Sequence, residues 1–253
     1  MAMIGPRFGG KVAIVTGAGQ GIGRQIASDL ADEGATVIIC DINPTYIEEA
    51  IAEIIARGGK ASPGLCDVSD RAQIDKLIAA VTAAHSHLDI LVNNAGILIP
   101  ATIEETTDQI IDRTIDINLK AVLWMIRAVT PIMKKARYGR IVNISSITGK
   151  NGDNTSTFAY GATKGAVMSL TRSVARQLGP FGVTCNAVAP HAIMTKMMMY
   201  WDEAKKKVAS DKIPVRRLGT PSDVARAVLY LASDEASFVN GEVLNINGGY
   251  YMD

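Results

Sequence analysis

Tyr160 and Lys164 stand four residues apart in a stretch where Val167, Leu170, Val174 and Leu178 recur at helical spacing. The spacing places phenol and amine one above the other on a single helix face. A tyrosine with a pKa near 10 is a poor base at neutral pH, and an adjacent ammonium stabilises its phenolate. Lowering that pKa by about three decades takes roughly 4 kcal/mol of differential stabilisation. Ser146 can hydrogen-bond a substrate oxygen as negative charge moves onto it, and Asn118 can hold a water that carries the proton from Lys164 to solvent. A Tyr/Lys pair alone is an ordinary feature of a helix surface. It gains meaning only if the rest of the chain brings these residues to one crevice with a cofactor.

The stretch Thr16-Gly-Ala-Gly-Gln-Gly-Ile-Gly23 is the element that does so. The apolar run Val12-Ala-Ile-Val15 before it has the pattern of a strand buried on both faces, and Ile22, Ile26, Ala27 and Leu30 after it recur at helical spacing. A strand passing through glycines into a helix aims unpaired N–H groups and the positive end of the helix dipole at one point, which suits a phosphate. Gly17, Gln20, Gly21, Ile22 and Gly23 are therefore candidate cofactor contacts. The spacing differs from the common G-x-G-x-x-G fingerprint, since Ile22 occupies its last glycine position.

Strand-like and helix-like runs alternate along the whole chain, the mark of a parallel sheet covered by helices on both faces. Ala35–Cys40 reads as a second strand ending at Asp41, where an acid about 20 residues past the glycines hydrogen-bonds an adenosine ribose. A carboxylate there repels the extra phosphate of NADP, and neither Ile42 nor Ala18 supplies a cation, so NAD (NADH) is the expected cofactor. The competing role for Asp41 is to cap the helix starting near Pro44.

Lys60–Cys66, with Asp67 and Val68 at its end, is the third strand, followed by a helix from Asp70 through His85. Leu88–Val92 runs into Asn93-Asn94-Ala95-Gly96. The spacing predicts helices over Ile103–Ile117 and Leu119–Ala136 with Asn118 at the junction, where an amide can organise a kink. Arg140–Ser145 is the fifth strand, Phe181–Val188 the sixth before Ala189 and Pro190, and Gly241–Ile246 the last. A final helix begins at Thr220-Pro-Ser-Asp and runs through Ala232. Residues 191–214 break the alternation, and Met194, Met197, Met198, Met199, Tyr200 and Trp201 suit an adaptable substrate cover.

Composition limits the function. With 26 Lys and Arg against 25 Asp and Glu among 253 residues, no general attraction to nucleic acid or an anionic membrane is expected. No apolar run approaches the ~20 residues of a membrane span, and residues 1–8 lack the pattern of a secretory leader, so the cytoplasm is the expected compartment. Cys40, Cys66 and Cys185 are widely separated and read as buried thiols, and no Cys/His spacing suggests a metal. The cations Lys205, Lys206, Lys207, Lys212, Arg216 and Arg217 read as a solvated face that leaves room for an anionic substrate. No linker or repeat is evident, and residues 1–253 read as one domain.

Thr16-Gly-x-x-x-Gly-Ile-Gly23, Asn93-Asn-Ala-Gly96, Asn118, Ser146, Tyr160-x-x-x-Lys164 and Pro190 onward, in this order, resemble the classical short-chain dehydrogenase/reductase family over nearly the whole chain. The resemblance implies a single-domain, Rossmann-like, doubly wound α/β fold with a seven-stranded parallel sheet and a catalytic tetrad of Asn118, Ser146, Tyr160 and Lys164. It also implies adenine contacts at Asp67 and Val68, Asn94, Ala95 and Gly96 along the cofactor, Tyr160 and Lys164 beside it, and Pro190, Ile193 and Thr195 at its carboxamide end. A homotetramer or homodimer is the expected assembly. Ser146 rather than Ser145 matches the family's Ser-x-x-Gly as Ser146-Ile-Thr-Gly149, although its spacing to Tyr160 is one residue longer than is usual. His191 departs from the glycine that commonly follows the proline.

The first expectation is an NAD-dependent oxidoreductase acting on a small polar secondary alcohol or polyol, with Ser146, Asp153, Tyr160, His191, Met197 and Trp201 facing the substrate. It rests on Asp41 and on the polar run Asn151–Ser156. The second is a 3-oxoacyl-(acyl-carrier-protein) reductase using NADPH, which the chain also resembles. Of the paired arginines that dock the acidic carrier in such enzymes, Arg137 matches one and Phe181 replaces the other. The third is a regulatory protein that binds the cofactor without turnover.

Overall fold

The protein is described here from a computed structural model covering residues 6–152, 157–195 and 201–253. Seven parallel strands form one sheet in the order β3-β2-β1-β4-β5-β6-β7. They are β1 (Val12–Thr16), β2 (Thr36–Asp41), β3 (Lys60–Leu65), β4 (Ile90–Asn93), β5 (Gly139–Ile144), β6 (Val183–Pro190) and β7 (Val243–Ile246). The chain winds outward from β1 to β3, then returns to lay β4 on the other side of β1. The reversal opens a crevice at the carboxyl ends of β1 and β4, where ligands of such sheets collect.

Helices cover both faces, so successive strand residues enter different cores. Val15, Ile39 and Val142 pack with α1 (Gly21–Asp32), α2 (Pro44–Ala56) and α9 (Pro221–Ala232). Ile14, Ile38 and Ile141 pack with α3 (Arg71–His85), α5 (Ala121–Ala136) and α7 (Phe158–Leu178). This two-sided burial explains why the central strands read as unbroken apolar runs. β3 is an edge strand and tolerates Pro63.

Helix starts follow local chemistry. Asn43 caps α2 by accepting from the Tyr46 N–H at 3.2 Å, with Pro44 in the first turn. Asp70 caps α3, and Thr220 with Asp223 forms a reciprocal capping box on α9. Because Asn43 holds the cap of α2, Asp41 does not serve as one.

Several element bounds differ from the sequence expectation: the fourth strand is Ile90–Asn93, the last begins at Val243, and the helix expected from Leu119 begins at Ala121. The helix expected from Ile103 begins at Asp108 as α4 (Asp108–Ile115), because Thr107 caps it, while the Thr106 hydroxyl donates to the Thr102 carbonyl and holds the preceding residues in a turn. The sixth strand starts at Val183 rather than Phe181, because Gly179–Phe181 forms a 3-10 turn that Gly182 ends at φ +73°, and it extends through Pro190. The junction at Asn118 is a π-helical turn, Asp116–Lys120, between α4 and α5. Among the described residues, no helix is long and apolar enough to cross a membrane.

Candidate active site

The glycine turn closes between β1 and α1. Gly17 (φ +62°) and Gly21 (φ +58°) adopt the left-handed conformation that favours glycine. At Gly23 a methyl group would overlap the Gly17 carbonyl oxygen and the Asn94 side-chain amide. Gln20 precedes α1 without capping it, and Ile22 packs on the core beneath the turn. The helix N-terminus thus faces an open cradle of backbone that fits a pyrophosphate.

Asp41 sits beside this cradle. One carboxylate oxygen accepts from the Gly19 N–H at 2.9 Å, and the other accepts from the Asn43 N–H at 3.1 Å. A carboxylate has about four acceptor positions, so capacity remains for ribose hydroxyls. Ile42 is exposed at the rim. At the next strand end Asp67 accepts from the Ser69 N–H and hydroxyl at 2.9 and 2.6 Å, and Val68 is buried.

The sequence reading missed what holds β1 to β4. The Thr16 hydroxyl accepts from the Asn94 and Ala95 N–H groups at 2.9 and 3.0 Å, and the Asn94 side chain donates to the Thr16 and Gly17 carbonyls. Behind them, the Asn93 amide donates to Asn143 Oδ1 at 2.8 Å, and the Asn143 amide donates to the Thr171 hydroxyl at 3.0 Å. A hydroxyl ending a buried strand and asparagines inside apolar runs were the available signals.

Asn118, Lys164 and Gly96 meet at the carboxyl end of β4. A methyl group on Gly96 would lie 3.3 Å from Asn118 Oδ1 and 3.5 Å from Lys164 Nζ. Asn118 is fixed from both ends of its amide, accepting from the Ile97 N–H at 2.8 Å and donating to the Ile97 carbonyl at 2.9 Å. Lys164 Nζ donates to the Ile144 carbonyl at 2.8 Å and lies 5.8 Å from the centre of the Tyr160 ring. Burial without a carboxylate partner pulls the Lys164 pKa down to about 8.

The adjacent serines divide their work. Ser145 donates to the Lys164 backbone carbonyl at 2.8 Å and ties β5 to α7. Ser146 accepts from the Thr148 N–H at 3.2 Å, an arrangement that leaves its own proton to donate.

Past the end of β6, Ile193 is buried in the core and pairs with Gly219, and the Thr195 methyl faces Gly21 across the glycine turn. The Pro190 carbonyl accepts from the Ile147 N–H at 3.0 Å. His191 stacks on Tyr250 with ring centres 3.8 Å apart, and burial lowers its pKa, which favours the neutral ring. Trp201 lies under the Lys205 ammonium at 4.6 Å.

The family model described as enoyl-(acyl carrier protein) reductase matches residues 17–251. The 3-oxoacyl-[acyl-carrier-protein] reductase of Thermotoga maritima is 39% identical over 243 residues, 96% of this chain and 98% of that protein. The crystal structure of a 3-oxoacyl-[acyl-carrier protein] reductase from Brucella melitensis superposes with a TM-score of 0.93 at 37% identity, covering 99% of this chain and 94% of that one. A second structure of such a reductase from the same organism, with bound NAD, gives 0.91 at 36% identity and the same coverage. The chain belongs to the classical short-chain dehydrogenase/reductase family.

As a member of this family the protein is an oxidoreductase, and its glycine cradle fits the dinucleotide such enzymes use. The relatives' names favour the 3-oxoacyl reductase reading over the polyol one. At the two positions on which the carrier-docking expectation turned, Arg137 donates to the Pro180 carbonyl at 3.1 Å, and the Phe181 ring lies 4.0 Å below the Lys134 ammonium. Of the six cations Lys205, Lys206, Lys207, Lys212, Arg216 and Arg217, three are in ion pairs: Lys206 with Glu203, Lys207 with Asp211 and Arg217 with Asp223. Asp153 and Met197 lie outside the described residues.

Proposed function

We propose that the protein moves a hydride between nicotinamide and a carbonyl carbon, interconverting a ketone and a secondary alcohol. The observation that carries this reading is the buried Lys164 ammonium, one helical turn from Tyr160 and beside the fixed amide of Asn118. Tyr160 carries the proton to or from the substrate oxygen. Lys164 lowers the cost of its phenolate, and Ser146 donates to the substrate oxygen as charge accumulates. Asn118, fixed on the Ile97 backbone, holds a water that carries the proton from Lys164 to solvent. The nicotinamide, when bound, supplies the carbon that accepts or gives the hydride.

The Asp41 carboxylate favours NAD(H) over the phosphorylated dinucleotide. For the substrate, the 3-oxoacyl thioester reading is the better supported, because relatives that match end to end carry that name. The small polar alcohol or polyol reading keeps one specific observation, the replacement of a carrier-docking arginine by Phe181 under Lys134. A homotetramer or homodimer belongs to the same proposal.

The test is a matrix of acetoacetyl thioesters and a panel of alcohols, sugars and hydroxy acids against NAD(H) and NADP(H), read by absorbance of the reduced dinucleotide. Thioester reduction with NADH is the expected result. Polyol oxidation without thioester reduction reverses the substrate order, and a strong NADP(H) preference removes the ribose role of Asp41. Tight dinucleotide binding without turnover leaves the regulatory reading.

A further inference from the structure

The residues after β7 return to the turn that carries Ser146. This turn leads into α6 (Thr148–Asn151), a single helical turn wedged against the catalytic step of α7. A methyl group on Gly149 would lie 2.6 Å from the Gly165 nitrogen and 2.7 Å from the Lys164 carbonyl carbon, so the two backbones touch with no room between them. The first residue of α6 donates its N–H to Ser146 Oγ, and Gly149 donates to the Ser146 carbonyl at 3.0 Å. Any shift of α6 therefore moves Ser146 and Lys164 relative to each other.

The other side of α6 is held by Lys150. Its side chain is only 9% exposed, and its ammonium pairs with the Asp253 carboxylate, with the Val243 carbonyl at 3.5 Å and the Tyr251 ring at 6.0 Å. A buried ammonium is costly unless paired. The carboxylate is itself aimed: Asp253 Oδ1 accepts from the Asn245 amide on β7 at 2.6 Å. The Asn247 amide donates to the Tyr251 carbonyl at 2.8 Å, and Tyr250 lies face to face with His191 next to Pro190. The segment is thus fastened at both walls of the site, to α6 beside Ser146 and to the end of β6.

We propose that Lys150 and Asp253 are positioning residues, through which the segment after β7 fixes the turn carrying Ser146 against the Lys164 step of α7. This rests on the reading of Ser146, Tyr160 and Lys164 given above. Both act through α6 and the segment after β7, as positioning rather than catalytic residues. Their effect falls on the rate of the chemical step rather than on dinucleotide binding, because the glycine cradle and Asp41 lie on the β1 and β2 side of the crevice.

The experiment compares Lys150→Met, Lys150→Arg, Asp253→Asn and the double variant Lys150→Met/Asp253→Asn with the wild type. It measures kcat, KM, dinucleotide Kd and assembly size by light scattering, with Tyr160→Phe as a control on the reaction itself. Asp253 lies on the surface and Asp253→Asn keeps its shape, and the double variant, which removes the ammonium together with its partner, tests the idea without leaving an unpaired buried charge. The expected result is a fall in kcat of about tenfold in Lys150→Met and in Asp253→Asn, as for a reacting group held loosely. Dinucleotide Kd and assembly stay unchanged, Lys150→Arg restores most of the rate, and the double variant is no slower than either single. A kcat within twofold of wild type in both single variants overturns the proposal, as does a fall in kcat matched by an equal loss of dinucleotide affinity. If Tyr160→Phe keeps its turnover, the reading of the site has failed instead.

Discussion

Replacing Lys164 with Met separates the stability cost of the buried ammonium from its catalytic use. Burial lowers its pKa from the ordinary 10.5 to about 8, so at neutral pH the folded protein carries a charged group that the unfolded chain holds more comfortably. At 1.36 kcal/mol per decade this is a cost of about 3 kcal/mol at pH 7. Between pH 8 and 10.5 the unfolded chain keeps the proton and the folded protein releases it, so stability rises with pH through this window. The variant has no such proton. It loses the bond from Nζ to the Ile144 carbonyl, and leaving that carbonyl unpaired costs about 1–3 kcal/mol, which roughly offsets the relief. The two proteins should therefore be of similar stability at pH 7, and the variant less stable by about 2.5 kcal/mol at pH 10. Guanidinium unfolding of both proteins at pH 7 and pH 10 reads the difference, with all other titrations shared. A gap that stays constant between these pH values, or that moves in the variant's favour, refutes the assignment of a burial-depressed ammonium.

Gly23→Ala should abolish dinucleotide binding and cost about 1–3 kcal/mol of stability, because the new methyl overlaps the Gly17 carbonyl and the Asn94 amide; fluorescence titration and denaturation check both. Asp41→Ala should weaken NADH by about tenfold, as for loss of a charge-assisted hydrogen bond, and narrow the gap between NADH and NADPH. Equal loss for both dinucleotides would mean that Asp41 acts only through its bonds to Gly19 and Asn43. Thr220→Ala should cost about 1 kcal/mol through loss of the capping box on α9, with kcat unchanged.

The fold was legible because the central strands are buried on both faces and several helix starts carry their own cap, so local pattern and tertiary role agree there. Asn43, Asp70 and Thr220 are examples. The true start of α4 was not legible, since Ile103 and Ile110 fit a helical period and only the Thr107 cap and the Thr102–Thr106 turn decide the boundary. In the site, the Tyr160 and Lys164 spacing translated directly into proximity. The Ser-x-x-Gly match singled out Ser146, but the structural use of Ser145 was not legible, because it depends on that hydroxyl facing the Lys164 carbonyl across the β5–α7 contact. The Thr16 hydroxyl, the Asn93–Asn143–Thr171 chain and the Lys150–Asp253 pair join residues 28 to more than 100 positions apart, beyond the reach of any local pattern.

Tyr160 carries the proton under the influence of Lys164. Tyr160→Phe removes one hydroxyl and leaves the ring, the glycine cradle and Asp41 in place. Dinucleotide affinity should stay within about twofold of wild type while turnover falls by about 10²- to 10⁴-fold. Turnover close to wild type in this variant, with the dinucleotide bound, would contradict this role of Tyr160.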